Sequence, residues 1–405
     1  FSSRRRHTRY ISVTGVQTCA LPISAAQDLA SKGWRVLLLD RQGRTKPCGG
    51  AIPSRLIRDY QIPDELLVAK IRTARMVAPS SRQVDIHIDN GFVGMVDRDV
   101  FDEWLRQRAA QHGAVRERGR FERLEPDPAG GQWVHYERLD GHGGAEPARA
   151  HARLVIGADG ARSEVARQSI ADAHRTKLVF AYHEILAAPQ GQSGYDPERC
   201  DVWYQGHLSP DFYGWVFPHG KTLSVGTGSA DKGFSLRTGV GKLREAAGLT
   251  QCDTLRREGA PIPLKPLPRW DNGRDVIVCG DAAGVVAPSS GEGIYYAMAC
   301  GTIVAQTVHA SLMAQDPSVL RQARKAFLKE HGRVFWVLGL MQHFWYQNDR
   351  RRERFVAMCD DRDVQQLTFD AYMNKRLVRR KPLAHVDRKS TRLNSSHTDI
   401  SRMPS

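Results

Sequence analysis

The chain has 405 residues, 41% of them hydrophobic and 25% charged, and a formal charge of +15. Four of those charges fall in residues 1–24 and three in 388–405, leaving +8 over residues 25–387, a moderate excess that suits an anionic cofactor or a negatively charged membrane surface. No aromatic-plus-basic module accompanies it, which argues against a nucleic-acid partner. Seven cysteines without a C-x-x-C pair or zinc spacing argue against a metal centre and for a reducing, cytoplasmic setting.

Residues 1–24 (FSSRRRHTRYISVTGVQTCALPIS) read as neither a strand-turn-helix nor a signal peptide, because Arg4, Arg5, Arg6 and Arg9 precede no sustained apolar core. Residues 388–405 are also polar and unpatterned. Both ends read as non-native tails and stand outside the fold assignment, with genuine disordered termini as the alternative. Residues 25–40 read as the end of a helix, a turn at Gly33 and a strand ending in Asp40. That is the back half of a dinucleotide-binding βαβ unit, with Asp40 placed to take ribose hydroxyls. A G-x-G-x-x-G turn belongs just before Ala25, yet residues 17–24 read Gln-Thr-Cys-Ala-Leu-Pro-Ile-Ser. Leu21, Pro22 and Ile23 offer bulk, and a proline without an N–H, where a pyrophosphate needs close backbone approach. Dinucleotide binding by the chain as it stands is therefore expected to be weak. The β-branched residues of Tyr10–Val16 suit the vacant first-strand slot without restoring a phosphate site.

Strand-like alternation follows at 84–96 and a helix at 98–112, with Phe101 and Leu105 on its apolar face. Hairpin-like segments occupy 121–157, and Leu154–Ser163 is an apolar strand running into Asp159-Gly160 and a polar helix start. An ordinary Asp-Gly turn is the plain alternative there. Strands with turns recur at 178–228. Within them, a period of two puts Tyr213, Trp215 and Phe217 on one face. Pro261, Pro263, Pro266 and Pro268 lead into Val276–Ile294, which reads as a strand delivering Asp281 and a glycine-rich turn opening a helix. There Gly284, Gly291 and Gly293 allow backbone N–H groups to approach a ligand, and the helix offers its positive end to a phosphate or an electron-rich ring. A glycine turn that binds nothing is the bland alternative. Ile294–Met313 is the longest apolar run, but its seven polar side chains, Tyr295 to Ser311, read as a buried helix and not a bilayer span. Val334–Tyr346 is rich in large apolar and aromatic residues and is followed by Arg350, Arg351, Arg352 and Arg354. A core helix and a peripheral bilayer contact both fit.

The Asp159 and Asp281 segments, in this order and about 120 residues apart, resemble the flavin-binding segments of the FAD-dependent reductase and hydroxylase superfamily. Closer still, Lys46–Pro53, Val96–Leu105, Tyr213–Pro218 and Tyr372–Lys375 resemble geranylgeranyl reductases, in particular the chlorophyll and bacteriochlorophyll branch, across residues 25–386. The resemblance implies an α/β fold: a discontinuous Rossmann-like FAD-binding domain (25–75, 98–170, 271–315), an inserted antiparallel β-sheet substrate domain (76–97, 171–270) and a C-terminal helical region (316–387).

It also implies roles. Asp40, Arg98, Asp159, Gly160, Gly280, Asp281, Gly291 and Gly293 would bind FAD. Cys48 would lie close to the flavin, as a proton relay or as a small residue that tolerates tight packing. Tyr213, Trp215 and Phe217 would wall an apolar tunnel for the substrate, with Trp215 stabilising positive charge as hydride and proton add across an isoprenoid alkene. The implied substrate is a geranylgeranylated pigment or geranylgeranyl diphosphate. The implied donor is NADPH, with reduced ferredoxin left open by the residues alone, and peripheral association with a photosynthetic membrane is compatible. A FAD-dependent monooxygenase and a noncatalytic lipid or pigment carrier on the same fold remain as alternatives. Hydroxylated product would mark the first, absence of yellow flavin the second.

Overall fold

The computed structural model describes residues 9–15, 23–41, 46–89, 91–140, 142–189, 191 and 194–375. It begins with β1 (Arg9–Gly15), α1 (Ile23–Ser31) and β2 (Val36–Asp40). Ala25, Ala26, Leu29 and Ala30 recur at helical spacing and give α1 one buried face. The turn after it holds Gly33 at φ +80°, a conformation that costs any other residue more. β1 occupies the first-strand slot between β2 and a later strand, as its β-branched residues suggested, and α1 starts at Ile23, two residues before the FAD-domain boundary drawn above. The segment at 16–22, where the glycine loop was sought, lies outside the described residues.

The chain continues through β3 (Ala51–Ile52), α2 (Ser54–Asp59), β4 (Leu67–Ile71), β5 (Thr73–Val77), β6 (Gln83–His87), β7 (Val93–Val96) and α3 (Arg98–Gln111). Next come β8 (Val115–Pro126), β9 (Gln132–Leu139), β10 (Ala145–Gly157) and α4 (Glu164–Ser169). Five strands run parallel in the order β8, β2, β1, β10 and β16 (Val276–Val278). The carboxyl part of β8 and the amino part of β10 both pair antiparallel with β9. Gly15 pairs with Asp40, Thr14 with Gly157, and Gly157 with Val278. The turns carrying Asp40, Asp159 and Asp281 therefore leave the sheet at its carboxyl edge, where open α/β sheets place their ligands.

The second sheet is built from β5 and β6 with β11 (Leu178–Ala187), β12 (Arg199–Trp203), β13 (Gly214–His219), β14 (Thr222–Ser229) and β15 (Thr254–Pro263), in the order β15-β11-β14-β13-β12-β5-β6. α5 (Leu236–Ala246) covers one face through Val240 and Leu243. The other face looks toward the first sheet. A third, three-stranded sheet of β3, β7 and β4 joins the two, so the stretch read above as a single first part of the FAD domain is divided between three sheets. Gly94 explains the tightness of that small sheet: a Cβ there would lie 2.9 Å from Leu67 Cδ2 and 3.1 Å from Ile57 Cδ1.

The chain closes with α6 (Ile294–Ala314), α7 (Gln322–Trp345), α8 (Asp349–Met358) and α9 (Arg362–Met373). By length and composition α6 could cross a bilayer, but it packs against α1 and α7 and buries Tyr295, Tyr296, Met298 and Val304 in the core. Its polar side chains are accommodated locally, as where Thr307 donates to the Ile303 carbonyl at 2.8 Å.

Candidate active site

The local chain path after β16 follows from its glycines. The Cys279 N–H reaches the Gly157 carbonyl at 2.9 Å, Gly280 turns the chain at φ +62°, and residues 280–283 form a short 3-10 turn. Asp281 thus sits within that turn, three residues beyond the end of β16. At Gly284, φ +77°, a Cβ would run into the Lys265 carbonyl oxygen. The Asp281 carboxylate is buried; Oδ2 accepts from Lys46 Nζ, and Oδ1 has no hydrogen-bond partner among the described residues. Gly293 precedes α6 with no side chain capping the helix and no acidic residue in its first turn. An open helix start beside a buried acceptor fits FAD, whose hydroxyls donate and whose ring carbonyls and phosphates accept.

A cavity of about 680 Å³ runs from these turns between the sheets, within the range of small-molecule sites. Its floor is Lys46, Cys48–Gly50, Arg98, Asp281 and Gly291–Gly293; its wall is the inner face of the second sheet; α7 to α9 close it with Met341, Trp345, Phe355 and Tyr372. Tyr213, Trp215 and Phe217 line it together, with successive ring centroids 6.0 and 6.3 Å apart. Gly49 lets the Phe217 ring approach the Cys48 loop, since a Cβ would sit 3.1 Å from Phe217 Cδ2. Cys48 accepts a 3.4 Å contact from the Gly50 N–H. Two tyrosines tie the walls to the glycine turn: Tyr213 donates to the Ser290 carbonyl, and Tyr346 to the Ser289 carbonyl at 2.8 Å.

The other residues singled out from sequence fall as follows. Arg98 lines the cavity and pairs with Asp102 through two bonds of 2.8 and 3.0 Å, both side chains buried. Asp40, at the sheet's carboxyl edge, is ion-paired with Arg106 of α3. Asp159 is outside the cavity lining: it accepts from Ser163 Oγ and from the Val165 N–H at 3.1 Å, organising the start of α4. Burial pushes its carboxyl up to about 6, against those hydrogen bonds. Gly160 follows at φ +87°. Among the described residues, no group of three or more His, Cys, Asp or Glu side chains could hold a metal ion.

Sequence reasoning passed over two constellations. Glu292, in the turn before α6, is ion-paired with Lys375 of the Tyr372–Lys375 segment, and both side chains are buried in the cavity wall. Burial raises the Glu292 carboxyl and lowers the Lys375 ammonium, each opposed by the other's charge. Lys375 also lies 5.2, 5.2 and 4.5 Å from the ring centroids of Tyr295, Tyr296 and Tyr372. An acidic residue inside a glycine turn was the available signal for Glu292. The second constellation, around His183 and Ser224, had none, because its members are brought together only by strand pairing.

The parallel sheet with its ligand turns at one edge, joined to a second sheet across an apolar cavity, defines a flavin-dependent oxidoreductase fold. No protein-family model matches the sequence. The chain is 55% identical over 363 residues to a geranylgeranyl diphosphate reductase of Rhodobacter capsulatus, covering 90% of this chain and 91% of that one. It is 36% identical to the chloroplastic geranylgeranyl diphosphate reductase of Oryza sativa, covering 90% and 81%. The structure of a geranylgeranyl bacteriochlorophyll reductase-like protein from Thermoplasma acidophilum superposes with a TM-score of 0.77 at 20% identity, covering 91% and 98%. The chain belongs to the geranylgeranyl reductase family.

Proposed function

We propose that this chain is a FAD-dependent reductase that hydrogenates the geranylgeranyl tail of bacteriochlorophyll or chlorophyll, and of geranylgeranyl diphosphate, stepwise to phytyl. NADPH is the proposed electron donor. The observation that carries the reading is the apolar cavity walled by Tyr213, Trp215 and Phe217, which opens directly onto Cys48–Gly50 and the turn before α6.

Bound and reduced, FAD would supply the hydride. Asp281, Arg98, Gly291 and Gly293 would hold its flavin end, and Asp40 its adenosine end. The chain's other tasks follow from its walls. Aliphatic and aromatic side chains exclude water and hold a long alkene extended. The rings of Tyr213 and Trp215 present electron-rich faces to positive charge developing on a tertiary carbon. Cys48 stands at the junction of wall and cofactor turn, where a thiol can hold a proton for delivery into the cavity. The test is mass spectrometry of pigments from cells expressing the protein: tails should gain two hydrogens per step. Hydroxylated pigment instead would establish the monooxygenase reading.

The same reading includes peripheral docking on an anionic photosynthetic membrane. α7 is two-sided: Val337, Leu338, Met341 and Trp345 line the cavity, while Trp336, Leu340 and Phe344, four residues apart, are exposed. Arg333, Arg350 and Arg354 are exposed nearby in sequence, and the Arg351 guanidinium lies 4.3 Å from the Phe344 ring centroid. An aromatic stripe flanked by arginines suits a bilayer interface of opposite charge. The protein is expected to float with phosphatidylglycerol vesicles and less with phosphatidylcholine. Changing Trp336, Leu340 and Phe344 to serine should abolish flotation without lowering thermal stability; unchanged flotation would refute this docking face.

A further inference from the structure

Strand register sets four positions of the second sheet in one row: Trp215 on β13 opposite Gly226 on β14, Gly226 opposite His183 on β11, and His183 opposite Glu258 on β15. A Cβ at Gly226 would overlap the Trp215 indole and lie 2.6 Å from His183 Cβ. The missing side chain therefore lets the indole lie across β14. There Trp215 Nε1 donates to Ser224 Oγ at 3.0 Å, and Ser224 Oγ lies 2.9 Å from His183 Nδ1. His183 Nε2 is 3.2 Å from Glu258 Oε2, a bent contact. Glu258 in turn pairs with Arg256. Ser224 and His183 are buried, and His183 and Trp215 both face the cavity.

The polarity of this row is directional. An indole nitrogen only donates, so Ser224 accepts from it. With His183 neutral, the serine hydroxyl donates to Nδ1, and the remaining imidazole proton sits on Nε2, facing the Glu258 carboxylate. Each link strengthens the acceptor before it. The Glu258 carboxylate, 3.2 Å from Nε2 but not in hydrogen-bond geometry, acts on this row through its charge, drawing the indole N–H more firmly toward Ser224, which fixes the ring and enriches its π face.

We infer that Glu258, His183 and Ser224 are positioning residues that orient and polarise Trp215 as the surface stabilising positive charge on the reacting alkene. The inference rests on the function proposed above and adds residues to it. Positive charge over a desolvated ring is attracted by the ring's quadrupole, and strengthening the indole N–H bond deepens that attraction without any contact between His183 and substrate.

The test uses the FAD-loaded full chain with Ser224→Ala, Ser224→Thr, His183→Phe and Glu258→Gln. The Trp215 indole N–H resonance, assigned through Trp215→Phe, reads the hydrogen bond, while kcat and KM are measured with the geranylgeranyl substrate. Ser224→Ala and His183→Phe should shift the resonance upfield and lower kcat about ten-fold, the equivalent of a weakened cation–π contact. KM should change less than about two-fold, and retained FAD and thermal midpoint report intact folding. Ser224→Thr should restore both readouts, and Glu258→Gln should move both by a smaller amount. A shifted resonance with unchanged kcat, or a fallen kcat with an unmoved resonance, would overturn the inference. A wild type that leaves the tail untouched would overturn the functional reading and the inference together, so the two failures are distinguishable.

Discussion

Trp215→Ala is expected to cut turnover of the long-tailed substrate on the order of thirty-fold, the loss of roughly 2 kcal/mol of cation stabilisation in a dry site, while FAD stays bound. The separation follows from position. Trp215 lies on β13 of the second sheet, 7% exposed, and its nearest ring neighbours are Tyr213, Phe217 and His183; the cofactor turns leave the edge of the other sheet. Removing a buried aromatic also costs stability, about 3–5 kcal/mol, so a thermal melt must precede the kinetics. Trp215→Phe should recover part of the rate, since it keeps a ring but loses the bond to Ser224. A folded Trp215→Ala protein that loses flavin and activity in equal proportion would contradict the assignment.

Lys375→Met is expected to destabilise the protein by about 3–5 kcal/mol, because it leaves a carboxylate in the core without its cation. Glu292→Gln should cost less: Lys375 keeps the faces of Tyr295, Tyr296 and Tyr372 around its ammonium, and burial already biases it toward the neutral amine. The double variant should be more stable than Lys375→Met alone, since the orphaned charge disappears. Denaturant unfolding of the four proteins completes the cycle. Additive losses, with no coupling between the two positions, would show that the pair does not act as a unit.

Where sequence neighbours are also spatial neighbours, the site was legible. The strand, turn and helix around Asp281 form one continuous stretch, and the alternation from Tyr213 to Phe217 survives because a strand preserves its period of two. What escaped depends on long-range pairing. Glu292 and Lys375 are 83 positions apart, and His183 and Ser224 are 41 apart; neither residue type announces its partner. The first-strand slot shows the limit from the other side. Residues 9–15 have the composition of a strand, and the half βαβ unit left one slot for them; what no local signal gave was the residue-by-residue register against β2 and β10. Asp159 is instructive as well. The motif suggests a ligand contact, and the structure adds a second task that the sequence did not show: the carboxylate accepts from Ser163 and from the start of α4, organising the turn.

The two carbonyls at Ser289 and Ser290 are each gripped by a tyrosine, Tyr346 from the closing helices and Tyr213 from the second sheet. The turn proposed to bear the flavin end is thus clamped from both sides, and swinging it aside requires both phenols to let go at once. A flavin end seated against this turn would thus rest on a support anchored to two separate elements, whatever the hold on the adenosine end.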